Sequence, residues 1–492
     1  MPAPSSESQP KSSSATGTIL VVAVSMFVLG CILFFQYTPN ALRWPLRVLW
    51  LAAVGWLVIA AVRAVRATRF TGRKTAFILV LGGFYYLVLS LVCHVFIKLM
   101  SQRDDRLTTR GMSKLDAECR RGIQAAIDDN QFNKFSAEVG WVPRPGYTTP
   151  SYTVNAQGLR GTREYPRQPA APDRRILCMG DSFTFGIAVK DDGTYPAQAE
   201  QLLPGTEWLN FGIPGGCLVQ AYQRYMHEAR DYGGKRVVVG FMTNDAQRTV
   251  NIFRPFVNAD SGCPLTKPFA KYDNGKFTIE PNPYHSLDDF KRLLADDRLE
   301  LVKLQKLDYL TWSRQGGGPA GPISRTLLYV WDALRVDRST DLLFDARLPL
   351  SSAVKSIIPP DPYGRDIWSP SSPGFKAICM MFDRFHEQIV ADGREPLFVI
   401  IPGPMDVSDF TRQNPRQYLS LAAHFKSKGY AFVDFLDPLV SKHKADLSED
   451  ALFVRNHYQP PVNKELAAEI IKAMPSLTAA APAPAAPAGT ER

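Results

Sequence analysis

The chain has 492 residues, a formal net charge of +10 and 45% hydrophobic residues. This length allows two or three structural units, and the hydrophobic content is ordinary for a folded protein. The charge does not predict a nucleic-acid partner, because much of it lies beside apolar segments and there is neither zinc-finger spacing nor a basic helix interleaved with aromatic residues.

The first hundred residues have the composition of a membrane domain. Residues 1–16 are rich in Ser and Pro and are predicted to be disordered. Residues 17–100 contain apolar segments at 19–35, 48–62 and 76–97. A bilayer-crossing helix needs roughly 20 apolar residues, which the first and third segments satisfy and the second reaches only with its flanks. Three transmembrane helices are therefore predicted.

The basic residues set the predicted orientation. No small-x-small cleavage site follows the first apolar segment before Gln36, which argues against a cleaved signal peptide. Residues 63–74 hold five basic residues and no acid, and short loops of this kind stay cytoplasmic. The chain after Ile97 is thus predicted on the extracytoplasmic (periplasmic) side. An interfacial second segment would reverse this orientation. His94 lies near the end of the third segment, where an interfacial position is the favoured interpretation.

A rhythm of strands and helices begins at residue 175. Residues 101–174 are polar and predict a linker and approach segment. From 175 to 475, buried apolar runs that end in Gly or turn residues alternate with helical patterns, which predicts a three-layer α/β domain with a parallel sheet. Residues 248–378 interrupt the rhythm and predict an inserted subdomain that caps the site. Residues 476–492 form a predicted disordered Ala/Pro tail.

The seven cysteines do not indicate a metal site. None has C-x-x-C spacing, and Cys31 and Cys93 lie in apolar segments. Cys178 lies in an apolar run, as a small buried hydrophobe would. The sequence does not decide whether a disulfide forms among four other cysteines, which are Cys119, Cys217, Cys263 and Cys379.

Chemically suggestive residues follow successive strands of the predicted sheet. Ser182 comes directly after the strand of residues 175–180, in Gly-Asp-Ser. A serine at the start of a helical turn has backbone N–H groups nearby and suits a nucleophile, although Gly-Asp-Ser alone also occurs as a helix cap. The sequence N-F-G-I-P-G at 210–215 follows the second strand, and Asn244 follows the third. Open α/β sheets place their sites at such strand ends.

With His457 before the last helix, these motifs resemble the SGNH (GDSL-type) hydrolase family, over roughly residues 150–475 without the insertion. The stretch N-A-Q-G-L-R at 155–160 is similar to the N-x-x-G-[FL]-R stretch of bacterial membrane-associated members. The resemblance implies a flavodoxin-like three-layer α/β/α domain, no cofactor, no metal, and acyl-ester hydrolysis or acyl transfer through an acyl-serine.

The resemblance also implies residue roles. Ser182 would be the nucleophile and His457 the general base. The Ser182 and Gly215 backbone N–H groups and the Asn244 side-chain amide would form the oxyanion hole. Asp181 and Asp245 would brace their loops rather than react.

Two positions depart from the family pattern. Val454 stands three residues before His457, where the family usually has an aspartate that orients the imidazole. The site is then either a Ser-His dyad or supported by another group, and Asp450 is the nearest acid in sequence. Met242 replaces a glycine of the third motif, which we expect to affect packing more than chemistry.

The leading hypothesis is a membrane-anchored extracytoplasmic serine esterase that cleaves acyl esters, including acetyl esters. An O-acyltransferase that modifies an envelope polysaccharide would use the same residues. A catalytically inactive domain that binds glycans or a partner is a third hypothesis, favoured by the missing aspartate, and a transporter is a remote fourth. The predicted partners are an ester-bearing substrate, either glycan or lipid, and the bilayer. Activity should fall as His457 protonates, near its reference pKa of about 6.5.

Overall fold

In the computed structural model, residues 114–256, 262–308 and 365–479 are described. The three predicted membrane spans lie outside these residues, as do the predicted disordered N-terminus and residues 480–492 of the tail. Within the described ranges, none of the helices is both long and apolar enough to cross a bilayer.

Short strands and helices alternate through the described chain. The strands are β1 (Asn133–Ser136), β2 (Gly140–Pro143), β3 (Arg175–Gly180), β4 (Glu207–Gly212), β5 (Arg236–Met242), β6 (Phe269–Asp273), β7 (Lys276–Glu280), β8 (Glu395–Ile401), β9 (Phe432–Asp434), β10 (Phe453–Val454) and β11 (His457–Tyr458). The first seven helices are α1 (Ala117–Ile127), α2 (Ser182–Phe185), α3 (Tyr195–Leu202), α4 (Leu218–His227), α5 (Asp245–Thr249), α6 (Leu287–Ala295) and α7 (Asp297–Leu307). The others are α8 (Pro373–Ala391), α9 (Pro404–Thr411), α10 (Leu419–Lys428), α11 (Leu436–Lys442), α12 (Glu449–Leu452), α13 (Pro460–Lys472) and α14 (Pro475–Ala479).

The predicted α/β domain with a parallel sheet is confirmed. Five parallel strands lie in the order β4-β3-β5-β8-β9, which is the 2-1-3-4-5 order of flavodoxin-like doubly wound sheets. The chain moves in opposite directions across the sheet before and after β4, so right-handed crossovers place α3 and α4 on opposite faces. Every residue of β3 and β5 is buried, as expected of strands covered on both sides.

The segment predicted as a linker and approach over 101–174, with one helix near 114–127, has that helix in the structure, but its described part is packed rather than a linker. Residues 114–174 contain α1 and the antiparallel β1–β2 hairpin. Ile123 and Trp141 of this segment share a second hydrophobic core with Phe253 and Phe290 of the predicted insertion. The same core includes Ile213, directly after β4. Residues 114–174 and the described residues 248–308 of the insertion therefore form one packed unit against a strand end of the sheet.

The predicted insertion ends too late in the chain. Helix α8 begins inside it, at Pro373, and its Phe382 packs on Phe398 of β8 with ring centroids 5.0 Å apart. Ser372 caps this helix by accepting from the Phe375 N–H at 3.0 Å, and Pro373 occupies its first position. Pro at that position favours a helix start, so the Pro-rich stretch marks the return to the α/β domain.

The four cysteines left open for a disulfide are all buried, as is Cys178, and no disulfide joins any two of these five residues. Cys31 and Cys93 lie outside the described residues.

Helix α2 lies so close to the end of β4 that only glycine fits at Gly212. A Cβ added there would lie 2.2 Å from the backbone nitrogen of Phe185. Main-chain atoms cannot rotate away as a side chain can, so the substitution must move α2.

We predict that Gly212→Ala lowers the free energy of unfolding by about 1–3 kcal/mol through this overpacking. Gly403→Ala is the matched control, because its Cβ would meet no atom closer than 3.8 Å. Chemical denaturation followed by tryptophan fluorescence measures both variants. Equal stabilities would contradict the account of how α2 is seated.

Candidate active site

The predicted nucleophile lies at the first position of the short helix α2, directly after β3. Asp181 caps this helix, since its Oδ1 accepts from the Phe183 N–H at 2.9 Å. Gly186 ends the helix in the left-handed conformation. Ser182 is 7% exposed, and none of the described residues offers its backbone N–H an acceptor. The local fold thus holds a serine hydroxyl and an unpaired amide at the end of the central strand.

The structure brings Ser182 and His457 together across 275 residues of sequence. His457 Nε2 lies 2.8 Å from Ser182 Oγ, which is hydrogen-bonding distance. The ring of Phe183 packs against the imidazole, with centroids 4.8 Å apart. Among the described histidines, His457 is thus the one that the structure places against the Ser182 hydroxyl.

A main-chain carbonyl takes the place of the missing aspartate. His457 Nδ1 lies 2.8 Å from the carbonyl oxygen of Arg455. A carbonyl can only accept, so Nδ1 carries the proton, and in the neutral ring Nε2 is left as the acceptor for the Ser182 hydroxyl. The imidazole is thereby held in the tautomer that a general base needs.

This contact comes from a two-residue turn between β10 and β11. Val454 pairs with His457 in the antiparallel register, leaving only Arg455 and Asn456 in the turn. Both have positive φ, 48° and 62°, as a type I′ hairpin turn requires. Asn tolerates this conformation better than most residues, and Arg does not. The turn is thus a strained local feature that directs the Arg455 carbonyl at the imidazole.

Asp450 is not the supporting acid. It lies exposed at the start of α12, and its main-chain carbonyl accepts from Gln459 Nε2 at 2.5 Å. The position beside His457 Nδ1 is taken by the Arg455 carbonyl. Asp450 is near His457 in sequence, but the β10–β11 hairpin places the Arg455 carbonyl, and not the Asp450 carboxylate, against the imidazole.

Buried charges surround the dyad. Burial lowers the pKa of His457 below its ordinary value, and the Arg455 carbonyl and the Asp181 charge oppose this only partly. Burial raises the pKa of Asp181, and it raises that of Asp245 further, with the neighbouring Asp181 adding to the effect. Arg248 pairs with Asp245 at 2.7 Å. Asp181 thus caps α2 and Asp245 pairs with Arg248, so each carboxylate is engaged within its own loop and helix start, inside a cluster of buried charges.

The predicted oxyanion-hole residue Gly215 lies in a tight turn after β4. Pro214 and Gly215 occupy its central positions, Gly215 has φ 69°, and the Gly216 N–H donates to Ile213 O at 2.8 Å. This is the pattern of a type II turn, in which the third residue needs positive φ. Within the described chain, the Gly215 N–H has no acceptor, so it is available to an oxyanion.

Asn244 is exposed at the start of α5, and its side chain makes no capping hydrogen bond. Its own N–H donates to Met242 Sδ at 3.1 Å. Met242, which we expect to affect packing more than chemistry, thus also accepts a hydrogen bond from the backbone of the predicted donor residue. The adjacent Thr243 hydroxyl donates to Asp406 Oδ2 at 2.5 Å, and burial raises the pKa of Asp406 to about 6. Nothing in the sequence indicates that Asp406 contributes to the site, because it lies 163 residues from Thr243.

The N-A-Q-G-L-R stretch stabilises the nucleophile helix and does not contact the dyad. Arg160 donates to Val189 O at 2.8 Å, and its guanidinium lies 4.8 Å from the ring centroid of Phe185 on α2. A hydrogen bond from Asn210 of β4 also holds α2, since Asn210 Nδ2 donates to Thr184 O at 2.7 Å. Within the described ranges there is no cluster of three or more His, Cys, Asp or Glu residues that could hold a metal ion.

Comparisons with known proteins give structural neighbours without a sequence match. No family model and no curated protein matches the chain. The chain is similar to a protein assigned to the G-D-S-L family of lipolytic proteins from Desulfitobacterium hafniense DCB-2. The identity is 11% and the TM-score 0.28, over 61% of this chain and 99% of that one. It is also similar to a protein described as an acylhydrolase from Bacteroides fragilis NCTC 9343. For this second protein the identity is 13% and the TM-score 0.29, over 63% of this chain and 90% of that one. A TM-score below 0.5 carries no functional argument, so the residue roles depend on the geometry of the site.

The lowered pKa of His457 predicts the acidic limb of the pH–rate profile. The base must be neutral, so activity should persist below pH 6.5 and fall only as the pH drops through the lowered pKa. The pH dependence of kcat/KM for an activated ester such as p-nitrophenyl acetate measures this limb. A midpoint above pH 7 would show that burial does not lower the pKa of the imidazole.

Placing a carboxylate at position 454 should move this limb. Val454 and His457 are directly opposite in the hairpin, so their side chains share one face. We predict that Val454→Asp shifts the acidic limb to higher pH, because a negative charge beside the imidazole stabilises its protonated form. Val454→Asn, of matching shape and no charge, should leave the midpoint in place. An identical shift in both variants would show that charge is not the cause.

Proposed function

We propose that this protein is an SGNH-type serine esterase that cleaves acyl esters through an acyl-serine intermediate. One observation carries the proposal. Ser182 Oγ is hydrogen-bonded to His457 Nε2 at 2.8 Å, while His457 Nδ1 is hydrogen-bonded to the Arg455 carbonyl at 2.8 Å. The unpaired donors of Ser182, Gly215 and Asn244 follow neighbouring strand ends, where the family pattern places the oxyanion hole.

The reaction follows from these positions. As Ser182 Oγ attacks the acyl carbon, its proton passes to His457 Nε2, and the carbonyl oxygen of the ester becomes an oxyanion. The three donors stabilise that charge. The imidazolium then returns the proton to the leaving alcohol, and the acyl group stays on Ser182. In the second half, His457 deprotonates a water molecule that attacks the acyl-serine. The imidazolium then returns this proton to Ser182 Oγ as the bond between Oγ and the acyl carbon breaks and the acid leaves.

A carbonyl orients the imidazole but brings no full negative charge to the imidazolium. We therefore expect the dyad to be slower than a triad with a carboxylate, and to depend more on the oxyanion hole. The Ser182–His457 hydrogen bond disfavours an inactive binding domain. In an acyltransferase, a sugar hydroxyl would take the place of water in the second half-reaction. The first half-reaction would use the same residues.

We further propose that the esterase is anchored in the cell membrane and faces the extracytoplasmic side. Support comes from the sequence: three apolar segments and a basic loop between the second and third. The ester substrate would then be an envelope glycan or a lipid. Fractionation followed by external protease treatment tests the anchor. Recovery in the soluble fraction, or protection of the catalytic domain, would contradict it.

The catalytic roles predict the outcome of labelling with a fluorophosphonate, which reacts with activated serines. Wild-type protein should be labelled, whereas Ser182→Ala and His457→Ala should lose labelling and at least about 10³-fold in kcat. His424→Ala is the matched control, because His424 forms an Asp–His pair with Asp383 at 2.8 Å, apart from Ser182. A folded wild-type protein without labelling would contradict the proposed esterase.

A further inference from the structure

We propose that Trp141 and Arg254 are positioning residues that fix the orientation of the Gly215 amide in the oxyanion hole. The inference rests on the proposed function, because it concerns a donor of the same site. Neither residue belongs to the motifs that resemble the family. Trp141 lies on β2, in the segment that the sequence predicts as a linker, and Arg254 lies in the predicted insertion.

The Gly215 N–H is the one backbone donor of the Ile213–Gly216 turn without a partner in the described chain. The Ile213 N–H donates to Gly180 O at 2.9 Å, and the Ile213 carbonyl accepts from the Gly216 N–H at 2.8 Å. Trp141 Nε1 donates to the Pro214 carbonyl at 3.0 Å, and Arg254 Nη1 donates to the Gly215 carbonyl. The first three carbonyls of the turn and its other N–H groups are thus all paired. Gly215 is half-buried, so this arrangement holds its peptide in place and presents the open N–H.

Trp141 sets the direction of this amide. The Pro214–Gly215 peptide is trans, since the described chain has no cis peptide bond. In a planar trans peptide the C=O and N–H point in opposite directions. Holding the Pro214 carbonyl against the indole therefore fixes the Gly215 N–H on the opposite side. Trp141 is fully buried, so the packing of its ring leaves the indole little freedom.

Arg254 holds the next peptide. Its guanidinium lies against Gly215, where an added Cβ would be 3.2 Å from Nη1 and 3.3 Å from Cζ. Gly215 is thus required for its positive φ and also for this approach. Arg254 is 7% exposed, and its Nε has no hydrogen-bond partner in the described part of the chain. Burying a guanidinium with an unpaired N–H costs free energy. Because Arg254 lies beside the turn that carries the open amide, we infer that its role is to orient that turn.

Residues 114–174 and the described residues 248–256 and 262–308 of the predicted insertion therefore support the proposed oxyanion hole. Their shared core includes Ile213, the first residue of the turn, together with Trp141 and Phe253. The cap predicted for the insertion stays a prediction.

Two variants of the full-length protein test the inference, each with a matched control. Trp141→Phe removes the indole donor, and Trp208→Phe removes an equivalent buried donor, bonded to Thr206 Oγ1 at 3.0 Å. Arg254→Gln is compared with Arg236→Gln, since Arg236 is also buried and donates to a carbonyl, that of Asp173, at 2.6 Å. The measurements are kcat and KM for p-nitrophenyl acetate and the affinity for phenylboronic acid, whose serine adduct mimics the tetrahedral intermediate.

Removing an oxyanion donor outright costs about 10²–10³-fold in kcat, so misorienting one should cost about 10-fold or more. We expect Trp141→Phe and Arg254→Gln to lose kcat and boronate affinity in parallel with KM unchanged, and the controls to keep all three. Unchanged kcat, or a rise in KM alone, in a variant whose melting temperature matches its control would overturn the inference. If either variant is unfolded, the other decides. A wild-type protein that is neither labelled nor active would contradict the proposed function itself.

Discussion

The hydrogen bond from His457 Nδ1 to the Arg455 carbonyl is the constraint on which the site depends. Without it the imidazole could rotate or change tautomer, and Nε2 would no longer be the acceptor facing Ser182. A main-chain carbonyl two residues away can reach the ring only because Arg455 and Asn456 both adopt positive φ. The backbone strain of the turn is the cost of orienting a general base without a carboxylate.

The rest of the site depends on strand ends that meet at one edge of the sheet. The register pairs Gly180 of β3 with Gly212 of β4, so the nucleophile helix and the Gly215 turn start from neighbouring points. Small residues at these ends allow α2 to lie directly on the sheet. Trp141 of the second hydrophobic core and the buried Arg254 donate to the carbonyls of this turn. In our proposal, the sheet and this second core thus both contribute to the oxyanion hole.

Much of this could be predicted from sequence, because the signals are local. Residues 176–179 form a continuous apolar run that ends at Gly180, and the structure has a buried parallel strand over 175–180, shortly before Ser182. The hydrogen bond from His457 to the Arg455 carbonyl could not be predicted from sequence. Arg rarely adopts positive φ, so the residue type gives no sign that Arg455 does. The role of Trp141 could not be predicted either, because its partner Pro214 lies 73 residues away. The predicted end of the insertion is wrong because proline occurs both in irregular segments and at helix starts, as at Pro373. The membrane spans and the extracytoplasmic orientation stay predictions.

The most direct test of the central claim is the tautomer of His457 at neutral pH, measured by ¹⁵N NMR. The chain has seven histidines, so the His457 signals can be assigned by their loss in His457→Gln. The account predicts a neutral ring with the proton on Nδ1 and an unprotonated Nε2 that accepts from Ser182. A proton on Nε2 would contradict it, because the imidazole could not then take the proton from the serine.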